Sequence, residues 1–160
     1  MKIENKEMLL YSMNKALEEL QETLVQSKSD RKEIYYRLGT CLHWIIDCYD
    51  RLPKEFQEKD SVEWFDGIRG ANNALKHERL LSQLEVPIGG KRYPYKYAYS
   101  YTVTYKFGEL VETAKTIPKQ AYGYKKHIMG KVVLQVIKYT VNEVDQYYAN
   151  YTERIEKSDE

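Results

Sequence analysis

The stretch Trp64–His77, WFDGIRGANNALKH, places two glycines, Gly67 and Gly70, inside a segment whose apolar spacing predicts a helix. A glycine in a helix interior costs about 1 kcal/mol relative to alanine. A helix that carries this cost usually needs close approach by another backbone or by a ligand at the glycine. We therefore expect this helix to be packed tightly or to line a site.

Two amphipathic helices are predicted before this stretch, because apolar residues recur at spacings of three and four. The first covers about residues 4–27. The second begins after Asp30, which forms a capping-box pattern with Glu33, and it ends at Pro53. Its apolar surface is wide, which predicts a central position in the fold.

The capping pattern recurs at Asp60 and Glu63 and predicts the start of the third helix. A long last helix is predicted over about 123–156. Four amphipathic helices favour a bundle in which each buries its apolar stripe against the others.

Between the third and last helices the apolar period changes to that of a strand. Every second residue from Tyr93 to Phe107 is aromatic except Val103, and the even positions of Leu80–Ile88 are mostly apolar. Gly89-Gly90 between them is a turn signal. The sequence thus predicts a single domain over residues 1–160, a mainly α four-helix bundle with a β-hairpin insertion at about 80–107. The tyrosine face either packs on the bundle, stacks unpaired bases or contacts a second copy.

Charge and apolar content narrow the functional classes. Lys+Arg 25 against Asp+Glu 24 gives a net charge of +1, which argues against a strongly basic nucleic-acid binder but leaves room for a local basic pocket. No apolar run approaches the roughly 18 residues of a membrane span, and the N-terminus has no signal-peptide core. Cys41 and Cys48 fall among apolar neighbours, as buried thiols in a reducing compartment do. A cytoplasmic protein is expected.

The candidate site lies on the third helix. On an ideal helix Asn73 lies about 40° around from Arg69, and His77 lies about 80° around and about 12 Å along the axis. Arginine offers a charged fork suited to phosphate, and histidine is the side-chain type suited to proton transfer near neutral pH. Asn72 and Lys76 flank these residues as candidate substrate-binding groups. We expect Arg69 and His77 to hold one phosphate between them.

A helical bundle with arginine, asparagine and histidine on one helix resembles the HEPN superfamily, and Arg69, Asn73 and His77 carry the resemblance. The usual signature has a polar residue directly after the arginine, whereas Gly70 follows Arg69 here and seven residues separate Arg69 from His77. The phrase ANNALKH is similar to a local pattern in uncharacterised bacterial HEPN-like proteins.

The resemblance implies a metal-independent ribonuclease or RNA-binding protein of a toxin–antitoxin, phage-defence or mobile-element system. It implies that His77 activates an RNA 2′-hydroxyl, that Arg69 stabilises the phosphate, and that two copies form a homodimer. Other members of the superfamily are non-catalytic binding modules.

Plainer interpretations stay open. Lys76 and His77 in a last helical turn also suit a structural role at the negative end of the helix dipole. A non-catalytic module that binds a protein or a nucleotide is the alternative function. His127, with two lysines at the predicted start of the last helix, is a weaker anion site. No metal-ligand motif is present, so neither a metal nor another cofactor is expected.

Overall fold

The computed structural model of the chain describes residues 2–25, 30–77, 81–86 and 102–159. Within these ranges the protein is mainly helical, with one two-stranded antiparallel sheet. In chain order the main elements are α1 Lys6–Val25, α2 Arg31–Arg51, α3 Val62–Leu75, β1 Leu81–Val86, β2 Thr102–Phe107, α4 Pro118–His127 and α5 Val133–Tyr151. None of the helices in these ranges combines the length and apolar character that a membrane crossing requires.

The first two helices match their predicted positions. Asp30 is the N-cap of α2, and its side chain accepts a hydrogen bond of 2.9 Å from the backbone N–H of Lys32. α2 ends at Arg51, just before Pro53. The helix packs against α1, α3 and α5, so its predicted central position is confirmed.

Both cysteines are buried and unbridged, as predicted. Burial raises the pKa of each thiol to about 12, because the thiolate loses its hydration inside the core. The Cys48 carbonyl also accepts a 2.7 Å hydrogen bond from the Tyr148 hydroxyl, which joins α5 to α2 inside the core. These cysteines therefore act as small core residues.

The predicted last helix over 123–156 is wrong, because this region contains two helices. Gly130 between them adopts a φ of +78°, and its N–H donates to the Phe107 carbonyl at 2.9 Å. The Phe107 N–H in turn donates to the Lys131 carbonyl at 3.0 Å. The segment between α4 and α5 thus bonds to β2 instead of continuing a helix, and the described part of the chain has five α-helices where four were expected.

The two strands lie between α3 and α4, where the alternating pattern predicted them. They pair antiparallel, with Leu81 opposite Phe107 and Val86 opposite Thr102. Phe107 is buried and its ring meets the ring of Tyr124 edge-on at 6.3 Å, so the end of β2 is anchored to α4. The predicted turn at Gly89-Gly90 and the tyrosines from 93 to 101 lie outside the described residues.

Asp145 on α5 provides a test of how burial affects stability. Burial raises the pKa of its carboxyl above the ordinary value, and a 3.1 Å hydrogen bond from Asn14 only partly opposes this. The folded state therefore holds the Asp145 proton more strongly than the unfolded state, and stability falls as pH rises through the two pKa values. Asp145→Asn should raise the melting temperature at neutral pH, and its advantage should shrink toward about pH 3, where the carboxyl is protonated in both states.

Thermal unfolding of both proteins across this pH range measures the effect. Glu153→Gln, at an exposed position, is the control and should change stability by less than about 0.5 kcal/mol. If Asp145→Asn raises the melting temperature equally at acidic and neutral pH, burial of the Asp145 carboxylate is not the cause of the change.

Candidate functional site

The glycines of α3 lie against α4, at a distance that excludes side chains. A Cβ atom built on Gly67 would lie 2.8 Å from the carbonyl carbon and oxygen of Gly123, and one built on Gly70 would lie 2.8 Å from the carbonyl oxygen of Gln120. Gly70 lies opposite Gln120 and Gly67 opposite Gly123, so the two helices run antiparallel. The predicted close approach of another backbone is confirmed, and we call this the α3–α4 glycine contact.

Charged side chains join the far end of the same helix pair. Glu63 accepts hydrogen bonds of 2.9 Å from Lys126 and 3.0 Å from His127, and these bonds hold the pKa of Glu63 below its ordinary value. The capping prediction for Asp60 and Glu63 is wrong, because Ser61 is the N-cap and it makes no side-chain cap bond. His127 lies at the C-terminus of α4, so the predicted anion site at a helix start is also wrong.

At the other end of the pair, the C-terminus of α3 and the N-terminus of α4 border a pocket of about 160 Å³, which we call the α3–α4 pocket. Sites for drug-sized ligands are larger, at about 300–1,000 Å³, so this pocket fits a small group such as one phosphate. The segment 110–117, which contains a turn at residues 114 and 115, borders another side of the pocket.

Cationic and hydrogen-bonding groups surround the polar part of the pocket. Lys76 and Lys115 supply ammonium groups, and Thr113 and Thr116 supply hydroxyls. The positive end of the α4 dipole adds to this potential, because α4 begins at Pro118 beside the pocket. None of the described lining residues is acidic. The rest of the lining is mostly apolar and includes Leu110, Val111 and Ile117, so an anion would bind at the cationic, polar part of the pocket.

Three of the five predicted site residues line this pocket. Asn73, Lys76 and His77 are all exposed, and the Asn73 amide donates to the Gln120 side chain at 2.7 Å. This bond fixes Asn73 at the mouth of the pocket, across the junction of the two helices. Asn72 lies on the opposite side of α3, in a groove against α2 that Lys76 also borders.

Arg69 is directed to a different partner. Its guanidinium donates two hydrogen bonds to the carboxylate of Asp50 on α2, and it lies 6.0 Å from the centre of the Tyr49 ring. The bond to Asp50 raises the pKa of Arg69 above its ordinary value, so the group stays charged. Arg69 is not among the lining residues of the α3–α4 pocket. The structure thus brings Asn73, Lys76 and His77 together and holds Arg69 outside the pocket. The predicted helix is shorter than expected, because α3 ends at Leu75 and the residues Lys76 and His77 follow it.

Sequence reasoning missed the residues that complete the pocket, namely Gln120, Lys115 and the two threonines. They lie some forty residues after His77, beyond the strands, and no local periodicity links them to α3. Pro118 was the one available signal, because proline favours the first position of a helix and so locates the α4 N-terminus.

Among the described residues, no cluster of three or more His, Cys, Asp or Glu side chains could hold a metal ion. Comparison of the chain with protein-family models, with curated proteins and with solved structures gives no match. The functional argument therefore rests on the geometry of the α3–α4 pocket and on the residues around it.

Proposed function

We propose that this protein is an HEPN-like, RNA-binding helical protein that holds a backbone phosphate in the α3–α4 pocket and cleaves the strand without a metal. The observation that carries the proposal is the joint presence of Lys76, His77 and Lys115 in one pocket whose described lining has no acidic residue. Phosphate contacts of this kind supply most of the affinity of nucleic-acid binders.

Local charge, and not global charge, supports this function. The chain as a whole carries a formal charge of +1, so a distant RNA gains little from the overall field. Binding must then depend on the few cations at the pocket, and it should weaken as salt is added. Lys76→Ala should reduce both the affinity and its salt dependence.

For cleavage, the Arg69 guanidinium must release the Asp50 carboxylate and bind the phosphate instead. The Arg69 and Asp50 side chains are 31% and 47% exposed, so solvent partly screens the pair, but its two hydrogen bonds make it stronger than a typical surface ion pair. A phosphate beside Asn73 and His77 must therefore supply comparable bonds to the guanidinium in order to displace Asp50. Arg69 then stabilises the charge that develops on phosphorus.

In this reaction the His77 imidazole takes the proton of a ribose 2′-hydroxyl, and the 2′ oxygen attacks the adjacent phosphorus. The bond from phosphorus to the 5′ oxygen breaks, and that oxygen takes a proton from water. The hydroxide that remains takes the proton from His77 and restores the neutral imidazole. The products are a 2′,3′-cyclic phosphate and a 5′-hydroxyl. General base catalysis by a positioned side chain typically contributes about 10²–10⁴-fold in rate.

The test is cleavage of mixed RNA by the purified chain in EDTA, beside Arg69→Ala, His77→Ala and the control Asn142→Ala. We expect at least about a 100-fold loss of rate for His77→Ala, a loss for Arg69→Ala and full activity for Asn142→Ala, an exposed residue on α5. Absence of cleavage by the parent, or equal cleavage by all four proteins, would refute the enzyme proposal.

Binding measured in parallel distinguishes the non-catalytic alternative. Fluorescence anisotropy with a 2′-fluoro oligonucleotide, which cannot be cleaved through its 2′ position, reports affinity alone. Binding that depends on Lys76 and His77 without any cleavage would identify a nucleic-acid-binding module. The homodimer, the protein partner and the bacterial defence setting implied by the resemblance remain predictions of the same proposal.

A further inference from the structure

A second depression adjoins the α3–α4 pocket, on the opposite side of the last turn of α3. It lies between α2 and α3, has a volume of about 510 Å³, and we call it the α2–α3 groove. This volume falls within the range of about 300–1,000 Å³ that small-molecule sites occupy. The groove is largely open to solvent, so it offers a surface on which a flat group can lie rather than an enclosed cavity.

The groove has the composition of a base-stacking surface. Tyr36 on α2 is 66% exposed at the groove, and Tyr35 lies beside it. The Arg37 guanidinium, which is ion-paired with Glu19 and Glu33 outside the groove, lies 6.0 Å from the centre of the Tyr36 ring. Across the groove, Asn72 offers an amide that can bond a base edge, and Leu75 adds apolar surface. An exposed aromatic ring with a nearby amide is how proteins hold unpaired bases.

Lys76 connects the groove with the pocket. Its side chain borders both depressions, with Asn73 and His77 on the α4 side and Asn72 on the α2 side. A helix turns about 100° per residue, so Asn72 and Asn73, which are neighbours on α3, face different depressions. A strand that crosses Lys76 can place a phosphate on one side and a base on the other.

We infer that the α2–α3 groove holds an unpaired nucleobase of the same RNA strand whose phosphate occupies the α3–α4 pocket, with Tyr36 as the stacking surface. This inference rests on the proposed function and makes it more specific. The substrate class is single-stranded RNA, because a base in a duplex is stacked and paired and cannot enter the groove. Asn72 contacts the edge of the base, and Lys76 contacts the phosphate that joins the two sites.

The test compares two 2′-fluoro oligonucleotides of equal length, one with bases and one abasic, in fluorescence anisotropy. The strand with bases should bind the parent about 5–150-fold more tightly than the abasic strand, the range expected for one stacked base. Tyr36→Ala should lower binding of the strand with bases to the abasic level and leave abasic binding unchanged. Tyr36→Phe should retain the affinity, since its ring still stacks.

Tyr11→Ala is the matched control, because Tyr11 is 68% exposed on α1 and does not line the groove. Equal binding of both strands, still dependent on Lys76, would overturn the base site and leave the phosphate site standing. Binding of neither strand would overturn both proposals. A dimer in solution that is lost on Tyr36→Ala would overturn the base site by assigning the groove to a second copy.

Discussion

Replacing Gly123 by alanine should destabilise the protein by about 1–3 kcal/mol, the usual cost of forcing an extra methyl group into a packed interface. The new Cβ would meet the carbonyl oxygen of Glu63 and lie 2.8 Å from the backbone nitrogen of Gly67. Both obstacles are backbone atoms, so no side chain can rotate away and the helices must separate. In a chain of this size the loss lowers the melting temperature by several degrees, at about 2–4 °C per kcal/mol.

Gly39→Ala is the matched control, since Gly39 also lies inside a helix. Its new Cβ would lie 3.4 Å from the Leu75 side chain, which is ordinary contact with a flexible group. This variant should be more stable than the parent by about 0.5–1 kcal/mol, because alanine favours the helix. Urea unfolding of the two variants should thus give changes of opposite sign. A stable Gly123→Ala protein would disprove the close contact of α3 with α4.

Replacing Phe65 by alanine should have the larger effect on stability, a loss of about 3–5 kcal/mol. Phe65 is buried and stacks face to face on Tyr49, with ring centroids 3.8 Å apart, and its ring also meets that of Tyr147. Alanine would leave a cavity between α2, α3 and α5. Because typical stabilities are about 5–15 kcal/mol, this single change removes a large fraction of the total.

Chemical denaturation measures the Phe65→Ala loss, with Tyr11→Ala as an exposed aromatic control that should stay within about 0.5 kcal/mol of the parent. If Phe65→Ala does not fold, Phe65→Leu keeps most of the volume and should lose less. A loss below about 1 kcal/mol for Phe65→Ala would show that this ring is not packed as described. The Arg69 guanidinium lies near the Tyr49 ring, so the same cavity should also disturb the Arg69–Asp50 pair.

The sequence predicts the structure correctly where the residues that determine a helix lie close together in the chain. The spacing of apolar residues, the N-cap Asp30 and the stop at Pro53 predict α1 and α2 because each acts within one or two turns. The glycines of α3 also predicted a close neighbour, since close backbone packing offsets the cost of glycine inside a helix. These signals did not identify the neighbour as α4.

The sequence does not predict the structure where a group bonds to a segment that lies far away in the chain. The apolar period continues past Gly130, but α4 ends at His127 and Gly130 bonds to Phe107 of β2. Gly130 is a local stop signal, whereas its bonding partner on β2 cannot be read from residues 123–156. The positions of Arg69 and His77 on one helix suggested a shared phosphate in the same way. In this structure the guanidinium bonds to Asp50 on α2, so a shared phosphate requires that pair to break, which the spacing along α3 does not reveal.

The contact between Gly67 and Gly123 joins two helices that are separated in the chain by the whole stretch from Lys76 to Ile117. Loop-closure entropy grows only logarithmically with length, by about 0.6 kcal/mol for each doubling of a flexible loop. The length of the intervening chain therefore adds little to the cost of docking α3 against α4, and the docked pair holds together the two helix ends that border the α3–α4 pocket.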